Sequence, residues 1–422
     1  MKNLFSIFVL TCVFSSAALA LDKAKLDKYI ESLDTHDKAM FSVAVVQNGQ
    51  PIYQKSIGYA DIKTNQVANK NTQYRIGSIT KVFTSTMIFQ LIDEGKLALD
   101  TKLATFYPQI KNTELISISM LLSHRSGLHN FTDSPDYGQY MTQPKSKTEM
   151  LGLIEALDSD FAPGSAASYS NSGFVLLGFI IEDITHDSYE NQLHKRISAK
   201  LKLNRTAFGG PIKMSDNQAH SYKYATNAWV AHSETDMSIP HGAGAIISTP
   251  TEVGIFIESL MTGKLISATS LAKMKELNQG YGRGLFKFPF HEKIAYGHTG
   301  GIDGFTSHTG YISEDEVAFT LTSNGMNMPM NDISIAILSA YYDMPFDLPD
   351  FDQKAITLTE RELSQYQGLF SSKQIPLNIT LKTDGAVLTA QATGQGVLNL
   401  TPYSSTDFRF DPAGIVPTPL DN

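Results

Sequence analysis

Cysteine is nearly absent from this sequence, which has one, Cys12, in 422 residues. Because Cys12 lies in a segment that we expect to be removed, the mature chain is expected to have none. Disulfide bonds, a cysteine nucleophile, cysteine-ligated zinc and iron–sulfur clusters are then excluded together. Stability must therefore come from the core, and any nucleophile must be another type of residue.

An excess of positive charge is also missing. The 34 Lys and Arg residues are outnumbered by 42 Asp and Glu residues, and the net charge is −8. A broad basic surface is therefore absent, and no nucleic acid partner is expected. Apolar residues make up 42% of the chain. That share is enough for a large core and excludes wholesale disorder.

Long apolar runs are lacking as well, and the first residues have the pattern of a secretory signal peptide. Lys2 precedes an apolar run at 4–14, and an Ala-x-Ala sequence ends at Ala20. The run is shorter than the ~20 residues that a membrane-spanning helix needs. A lipoprotein is the alternative, but the bulky Thr11 before Cys12 disfavours it. We expect cleavage after Ala20 and a periplasmic or secreted protein that does not span the membrane.

Strand patterns lie at both ends of the first 345 residues, with helical patterns between them. Asn48-Gly49 predicts a hairpin that joins strands at 41–46 and 52–57. Further strands are predicted at 242–247, 282–288, 294–298, 305–312 and 317–323, and helices at 21–33, 79–94, 174–184 and 333–342. This order indicates an α+β fold, with one antiparallel sheet, flanking helices and an inserted helical subdomain.

The last part of the chain reads as a separate small unit. Residues 346–355 are rich in Asp and Pro and are interpreted as a linker. Strand-like runs at 377–381 and 387–390, joined by a turn at Asp384-Gly385, predict a β-rich module over 356–422. The expected boundaries are therefore 1–20 for the signal peptide, 21–345 for the main domain, 346–355 for the linker and 356–422 for the module.

The first candidate site motif is Ser78-x-x-Lys81 at the start of a predicted helix. Residues three apart share a helix face. Serine needs an adjacent base to act as a nucleophile, and a buried lysine with a lowered pKa can accept its proton. Alone, this motif is common, and a capping serine followed by a surface lysine is the alternative.

Two more motifs follow, each ambiguous by itself. Tyr169-Ser170-Asn171 places a phenol and an amide just before the predicted helix at 174–184, with a Tyr-rich loop and an Asn helix cap as the alternative. His298 begins a His-Thr-Gly-Gly sequence at the end of a predicted strand. Glycines there allow a substrate backbone to approach closely, whereas a lone histidine is more often structural.

Together, the order and separation of the three motifs resemble those of active-site serine penicillin-recognising hydrolases, whose signature is Ser-x-x-Lys, Ser-Asp-Asn and Lys-Thr-Gly. The Tyr-x-Asn and His-Thr-Gly versions resemble the class C β-lactamase-like branch, which includes D-Ala-D-Ala carboxypeptidases, D-aminopeptidases and family VIII esterases. The segment 121–128, Leu-Leu-Ser-His-Arg-Ser-Gly-Leu, is also similar to that family. The resemblance covers about residues 25–342 and implies a three-layer α/β/α fold with no metal or organic cofactor.

The resemblance also implies roles for individual residues. Ser78 would be the nucleophile that forms an acyl-enzyme, and Lys81 and Tyr169 would share the acid–base work. Which of the two takes the serine proton is left open. Asn171 would bind the substrate amide and orient Lys81.

The glycine-rich motif would bind the substrate. Backbone N–H groups of Ser78 and Gly301 would form an oxyanion hole, and Thr299 would contact the substrate beside Gly300. His298, which we count among the catalytic residues, replaces the family's lysine. Histidine is mostly neutral at pH 7, so recognition of a free substrate carboxylate is expected to be weakened or pH-dependent.

Arg283 lies on a strand predicted just before the His298 strand. It is therefore a candidate for the missing cation, as a clamp on the substrate carboxylate. A solvated strand arginine is the favoured alternative.

The expected function is a secreted serine hydrolase of the D-alanyl-D-alanine carboxypeptidase type. A β-lactamase or carboxylesterase with the same acyl-enzyme is the first alternative, and a slowly turning-over penicillin-binding sensor is the second. The expected substrate is a small peptide, β-lactam or ester, with peptidoglycan as a candidate partner. Neither the oligomeric state nor the role of the C-terminal module is predicted.

Overall fold

The computed structural model describes residues 21–371, 378–392 and 396–409. The predicted signal peptide at 1–20, Leu377 at the start of one predicted strand, and the end of the C-terminal module lie outside the described residues. No helix within the described ranges is long and apolar enough to cross a membrane.

The described residues form thirteen α-helices and eighteen strands. The α-helices are α1 (Lys23–Thr35), α2 (Thr80–Asp93), α3 (Ile118–Leu122), α4 (Tyr137–Tyr140), α5 (Lys147–Ala156), α6 (Asn171–Thr185), α7 (Tyr189–Leu193), α8 (Ala199–Leu201), α9 (His241–Gly244), α10 (Pro250–Met261), α11 (Ala268–Lys275), α12 (Met330–Tyr341) and α13 (Glu360–Leu363). The strands are β1 (Ala39–Gln47), β2 (Gln50–Ile57), β3 (Tyr59–Asp61), β4 (Gln66–Val67), β5 (Tyr74–Arg75), β6 (Ala207–Phe208), β7 (Tyr222–Ala225), β8 (Ala228–Ala231), β9 (Ile246–Ser248), β10 (Phe286–Phe290), β11 (Lys293–Ile302), β12 (Phe305–Ile312), β13 (Val317–Met326), β14 (Gly368–Ser371), β15 (Asn378–Asp384), β16 (Val387–Ala392), β17 (Val397–Pro402) and β18 (Phe408–Arg409).

The main sheet has the strand order β10-β11-β12-β13-β1-β2, and each neighbouring pair is antiparallel. The β1–β2 hairpin turns at Asn48 and Gly49, where φ is 55° and 71°. Positive φ at both positions is what a tight two-residue hairpin turn requires, and Asn-Gly supplies it. Strands from the two ends of the main domain thus meet where β1 pairs with β13.

Helices cover both faces of this sheet. On one face α1 and α12 contribute Leu26, Ile30 and Ile337 to a core that includes Val43 of β1. On the other face α10 packs against β1 and β13. Its Phe256 stacks on Phe83 of α2 with ring centroids 3.5 Å apart. The predicted α+β fold of β-lactamase/transpeptidase type, with three α/β/α layers and inserted helices, is confirmed.

Three predicted strands differ from the structure. The strand predicted at 294–298 continues to Ile302, so His298 lies inside β11 and not at its end. A strand is predicted at 242–247, but its first residues belong to the helical turn α9, and β9 starts only at Ile246. Gly242 lies so close to α6 that a Cβ there would be 2.7 Å from the carbonyl oxygen of Phe174. Close helix packing, which favours small residues, therefore explains the glycines. The strand predicted from 282 begins at Phe286, because Gly284 has φ +83° and turns the chain.

The C-terminal module is an antiparallel sheet of β14–β18 in sequential order. Leu363 of α13 and Leu388, Leu400 and Phe408 of the strands form a small core. The turn at Asp384-Gly385 joins β15 to β16, as predicted. The preceding segment lies along α1, where Lys25 approaches the ring of Phe346 at 4.2 Å.

Candidate active site

Ser78 and Lys81 lie together at the start of α2. Residues Gly77–Ile79 form a 3-10 turn that leads directly into the helix. Lys81 Nζ is 2.9 Å from Ser78 Oγ, 2.7 Å from Asn171 Oδ1 and 2.8 Å from the Ala243 carbonyl oxygen. The pair predicted from the Ser-x-x-Lys spacing therefore stands within hydrogen-bonding distance.

The Lys81 side chain is fully buried, with an exposed fraction of 0%. Burial disfavours the charged ammonium and lowers the pKa of Lys81 well below 10.5. Within the described part of the chain no carboxylate pairs with Lys81 to oppose this shift. A neutral amine has a free lone pair, so Lys81 has the chemistry of a base toward the Ser78 hydroxyl.

Tyr169 approaches the same serine from the loop before α6. Lys81 Nζ lies 4.8 Å from the centre of the Tyr169 ring. Burial is the larger influence on the phenol and raises the pKa of Tyr169 above 10, while an interaction with Ser78 lowers it. The phenol is therefore protonated at neutral pH, which suits a proton donor better than an initial base.

Asn171 is the first residue of α6. Its Nδ2 donates to Asn130 Oδ1 at 3.1 Å and to Thr132 Oγ1 at 3.2 Å, and its Oδ1 accepts from Lys81. These bonds fix which end of the amide faces the lysine. The orienting role that the family resemblance implies for Asn171 therefore has a geometric basis.

Two glycines let the backbone of β11 approach the Ser78 turn. A Cβ at Gly77 would lie 2.8 Å from Gly301 N, and a Cβ at Gly300 would lie 2.1 Å from the Ile76 carbonyl oxygen. The N–H of Gly301 is therefore held beside the residue that precedes Ser78. Strand β10 pairs only with 293–297 of β11, so no strand in the described ranges covers the outer edge of its last residues.

Replacing Gly300 with alanine is expected to lower stability, since the new methyl would press on the Ile76 carbonyl. Overpacking of this kind typically costs about 1–3 kcal/mol. Denaturant unfolding would measure the loss, with Gly301→Ala as the matched control, because a Cβ at Gly301 would meet nothing within 4 Å. Equal midpoints for the two variants would contradict this packing.

His298 is buried beside the site, with an exposed fraction of 2%. Its ring lies 4.6 Å from that of Phe286 and 6.3 Å from that of Tyr169. Burial, the largest influence, lowers the pKa of His298 to about 3. The imidazole is therefore neutral at physiological pH and does not replace the positive charge of the lysine in the family signature.

One predicted substrate contact, Arg283, is not brought to this cluster. The Arg283 guanidinium bonds Ser119 Oγ at 3.0 Å, the Lys273 carbonyl oxygen at 2.6 Å and Glu276 at 3.1 Å. Arg283 is thus ion-paired with Glu276, away from Ser78 and Lys81, and its contacts in the described residues do not fit a clamp on the substrate carboxylate. The register pairs Thr299 with His308 and His298 with Thr309, so the side chains of Thr299 and His298 leave the sheet on opposite faces.

Several neighbours of the site could not be found from the sequence. Asn130 and Thr132 hold Asn171, and the Ala243 carbonyl accepts from Lys81. A carbonyl carries no side-chain signal, and Asn130 lies two residues beyond the family-like segment 121–128. His124 lies within that segment but has no predicted role, although its ring centroid is 4.4 Å from that of Tyr169.

The antiparallel sheet, the inserted helices and the contact between Ser78 and the buried Lys81 define a hydrolase of the β-lactamase and penicillin-binding class. The chain belongs to the beta-lactamase family, whose model matches residues 26–342. This match confirms the resemblance that the three motifs carried.

Similar proteins include enzymes that act on D-amino-acid compounds. The teichoic acid D-alanine hydrolase of Staphylococcus aureus is 28% identical over 245 residues, which is 58% of this chain and 58% of that protein. The chain therefore aligns with less than two thirds of the length of this curated relative. The D-amino acid amidase of Ochrobactrum anthropi SV3, complexed with L-phenylalanine amide, is 25% identical with a TM-score of 0.67, covering 75% of this chain and 99% of the amidase.

A third likeness extends over nearly the whole chain. The octameric penicillin-binding protein homologue from Pyrococcus abyssi has a TM-score of 0.69 and covers 94% of this chain and 95% of its own. The sequence identity is 24%, so this likeness supports the fold alone.

Proposed function

We propose that the protein is a serine hydrolase that cleaves amide or ester bonds of D-amino-acid compounds through an acyl-enzyme on Ser78. The observation that carries this proposal is the 2.9 Å contact between Ser78 Oγ and the buried Lys81 Nζ. The similarity to a D-amino acid amidase and to a D-alanine hydrolase supports the choice of substrate class.

The proposed acylation step uses the two ionisable groups beside Ser78. The neutral Lys81 amine takes the Ser78 hydroxyl proton as Oγ bonds to the substrate carbonyl carbon. Backbone N–H groups of Ser78 and Gly301 would stabilise the resulting oxyanion. When the bond to the leaving group breaks, the Tyr169 phenol donates a proton to the leaving amine or alkoxide. Lys81 then returns its proton to Tyr169.

Deacylation repeats the sequence with water as the nucleophile. Water gives one proton to the restored base, its oxygen bonds to the acyl carbon, and Ser78 Oγ leaves and recovers a proton. The acid product and the free enzyme result. Each proton is returned within one cycle, so Ser78, Lys81 and Tyr169 complete the turnover without a cofactor.

The neutral His298 favours uncharged leaving groups over a free terminal carboxylate. With a pKa of about 3, His298 supplies no cation at the pH of activity, and Arg283 is paired with Glu276. We therefore place D-aminoacyl amides and esters first, and the D-Ala-D-Ala carboxypeptidase reaction second.

A panel of substrates tests this order. The panel contains D-phenylalanine amide, a D-alanyl ester, a D-Ala-D-Ala peptide, a cephalosporin and a short p-nitrophenyl ester, with L-enantiomers as controls. We expect kcat/KM to be highest for the D-amide and the D-ester and to be much lower for their L-forms. Highest activity on the p-nitrophenyl ester, without preference for D-substrates, would contradict the proposal.

The pH dependence of carboxylate recognition follows from His298. Since its pKa is lowered to about 3, His298 becomes charged only near and below that pH and stays neutral from pH 5 to 8. We expect the ratio of KM values for a D-Ala-D-Ala peptide and its C-terminal amide to stay constant over that range. A ratio that changed as pH fell through 6.5 would show a titrating histidine and contradict this assignment.

A further inference from the structure

His124 has an unusual backbone for a buried side chain. Its φ is 56°, in the left-handed region that non-glycine residues seldom adopt. Its exposed fraction is 3%. Such a conformation persists only where the surroundings hold it, and it often marks a functional constraint.

The backbone and the ring of His124 bond the residues on either side of Tyr169. The His124 carbonyl accepts the N–H of Ser168 at 3.0 Å. The ring atom Nδ1 accepts the N–H of Ser170 at 3.1 Å. Because Nδ1 is an acceptor, the proton of the neutral ring resides on Nε2. The chain is therefore fixed immediately before and immediately after the phenol.

The imidazole also packs on the phenol itself. The rings of His124 and Tyr169 are 4.4 Å apart with an interplanar angle of 31°. The ring centroids of Tyr281 and of Phe174, on α6, each lie 5.2 Å from that of His124. These contacts restrict rotation of the Tyr169 ring, whose hydroxyl faces Ser78.

His124 has a neutral imidazole, which is compatible with a protonated phenol at Tyr169. The titratable groups that face it are Lys81, His298, Tyr169 and Tyr281. Burial is the largest influence and lowers the pKa of His124 well below 6.5. A charged imidazole would stabilise a phenolate at Tyr169 and oppose protonation of Lys81.

We propose that His124 is a positioning residue, which holds Tyr169 at Ser78 through the Ser170 N–H and the ring stack without touching substrate. This inference rests on the proposed role of Tyr169 in acyl transfer. The contacts it uses belong to the chain itself and can be measured apart from catalysis.

Two variants separate the contributions of the acceptor and the ring. His124→Phe keeps an aromatic ring but leaves the Ser170 N–H without its acceptor. His124→Asn keeps an acceptor near the Nδ1 position and tolerates positive φ. We expect His124→Phe to lower kcat on the order of 100-fold with little change in KM, since a small misplacement near the reacting atoms can cost that much. His124→Asn should recover part of the loss.

His308→Asn is the matched control. His308 is also buried and neutral, with its pKa lowered to about 4 by burial, and it bonds Ser334 Oγ at 2.8 Å. It leaves the sheet on the opposite face from His298. We expect its melting temperature to fall with kcat unchanged. An equal loss of kcat in this control, or no loss in His124→Phe, would overturn the positioning role.

A second measurement does not need turnover. Carbon NMR of ring-labelled tyrosine, assigned with Tyr169→Phe, follows the phenol directly. In the wild type we expect no titration of Tyr169 below pH 10, since burial raises its pKa. In His124→Phe we expect a changed chemical shift of the Tyr169 ring carbons and a phenol that titrates at a lower pH than in the wild type. An unchanged Tyr169 signal in His124→Phe would overturn the inference. A wild type that is inert toward every substrate and inhibitor would instead overturn the proposed function, while this signal still decides the role of His124.

Discussion

Replacing Ser78 with alanine is expected to lower the hydrolysis of D-phenylalanine amide by a factor on the order of 10⁴ or more, because Ser78 Oγ is the hydroxyl that contacts the buried amine of Lys81 at 2.9 Å. Removal of a serine nucleophile from an acyl-transfer site has effects of at least this size. Initial rates and their concentration dependence would measure the loss. The fold should remain, since Ser78 is only half-buried.

Ser85→Ala is the matched control for this variant. Ser85 lies on α2, seven residues after Ser78, and its hydroxyl is buried without a hydrogen-bond partner in the described structure. We expect this variant to keep the wild-type rate. Retention of more than about a hundredth of the activity by Ser78→Ala would contradict the assignment of the nucleophile.

Replacing Lys81 with methionine is expected to lower the acylation rate on the order of 10⁴-fold, while Tyr169→Phe should cost about 100-fold. These values lie within the range of positioned acid–base groups. The larger effect belongs to Lys81 because its amine, and not the protonated phenol, is ready to take the serine proton. Because burial lowers the pKa of Lys81, wild-type acylation should rise with pH through that lowered pKa and then level off. Stopped-flow measurement of acylation by a fluorogenic ester would give the rates of the two variants and the pH profile of the wild type.

Lys275→Met controls for the loss of a partly buried lysine. Burial also lowers the pKa of Lys275, whose ammonium lies 4.2 Å above the Tyr296 ring. Lys275 plays no part in the proposed proton transfers, so its replacement should leave the acylation rate at the wild-type value. If Tyr169→Phe were slower than Lys81→Met, the phenol would be the base for acylation.

Local sequence patterns predicted the first hairpin and the two central helices. Asn48-Gly49 specified the first hairpin because few other pairs accept positive φ twice. The apolar periodicity after Ser78 located α2, and the continuous apolar run at 174–184 located α6, whose buried sides leave little choice of structure. The three site motifs could be joined because the family spacing is specific, although each alone was ambiguous.

Contacts between distant segments could not be predicted in this way. The strand expected at 242–247 is partly the turn α9, since its glycines serve packing against Gly178 of α6. The same turn presents the Ala243 carbonyl to Lys81, and a carbonyl has no signature in sequence. Arg283 is predicted on the strand just before that of His298, but in the structure it pairs with Glu276. This pairing depends on the tertiary fold and has no signal in the local sequence.

The environment of an ionisable group is likewise a property of the whole fold. His298 was recognised by its motif, and its neutrality was expected at pH 7. The size of the effect comes from complete burial beside Lys81, which brings the pKa to about 3. Burial of this kind depends on residues from separate elements, such as Phe286 and Tyr169.

Intact-mass spectrometry of the wild type treated with a fluorophosphonate or with penicillin tests the central claim most directly, with peptide mapping to locate the adduct. The account predicts one covalent adduct per chain, on Ser78, that is absent from Ser78→Ala and forms slowly in Lys81→Met. An adduct on another residue, or persistence of the adduct in Ser78→Ala, would contradict it.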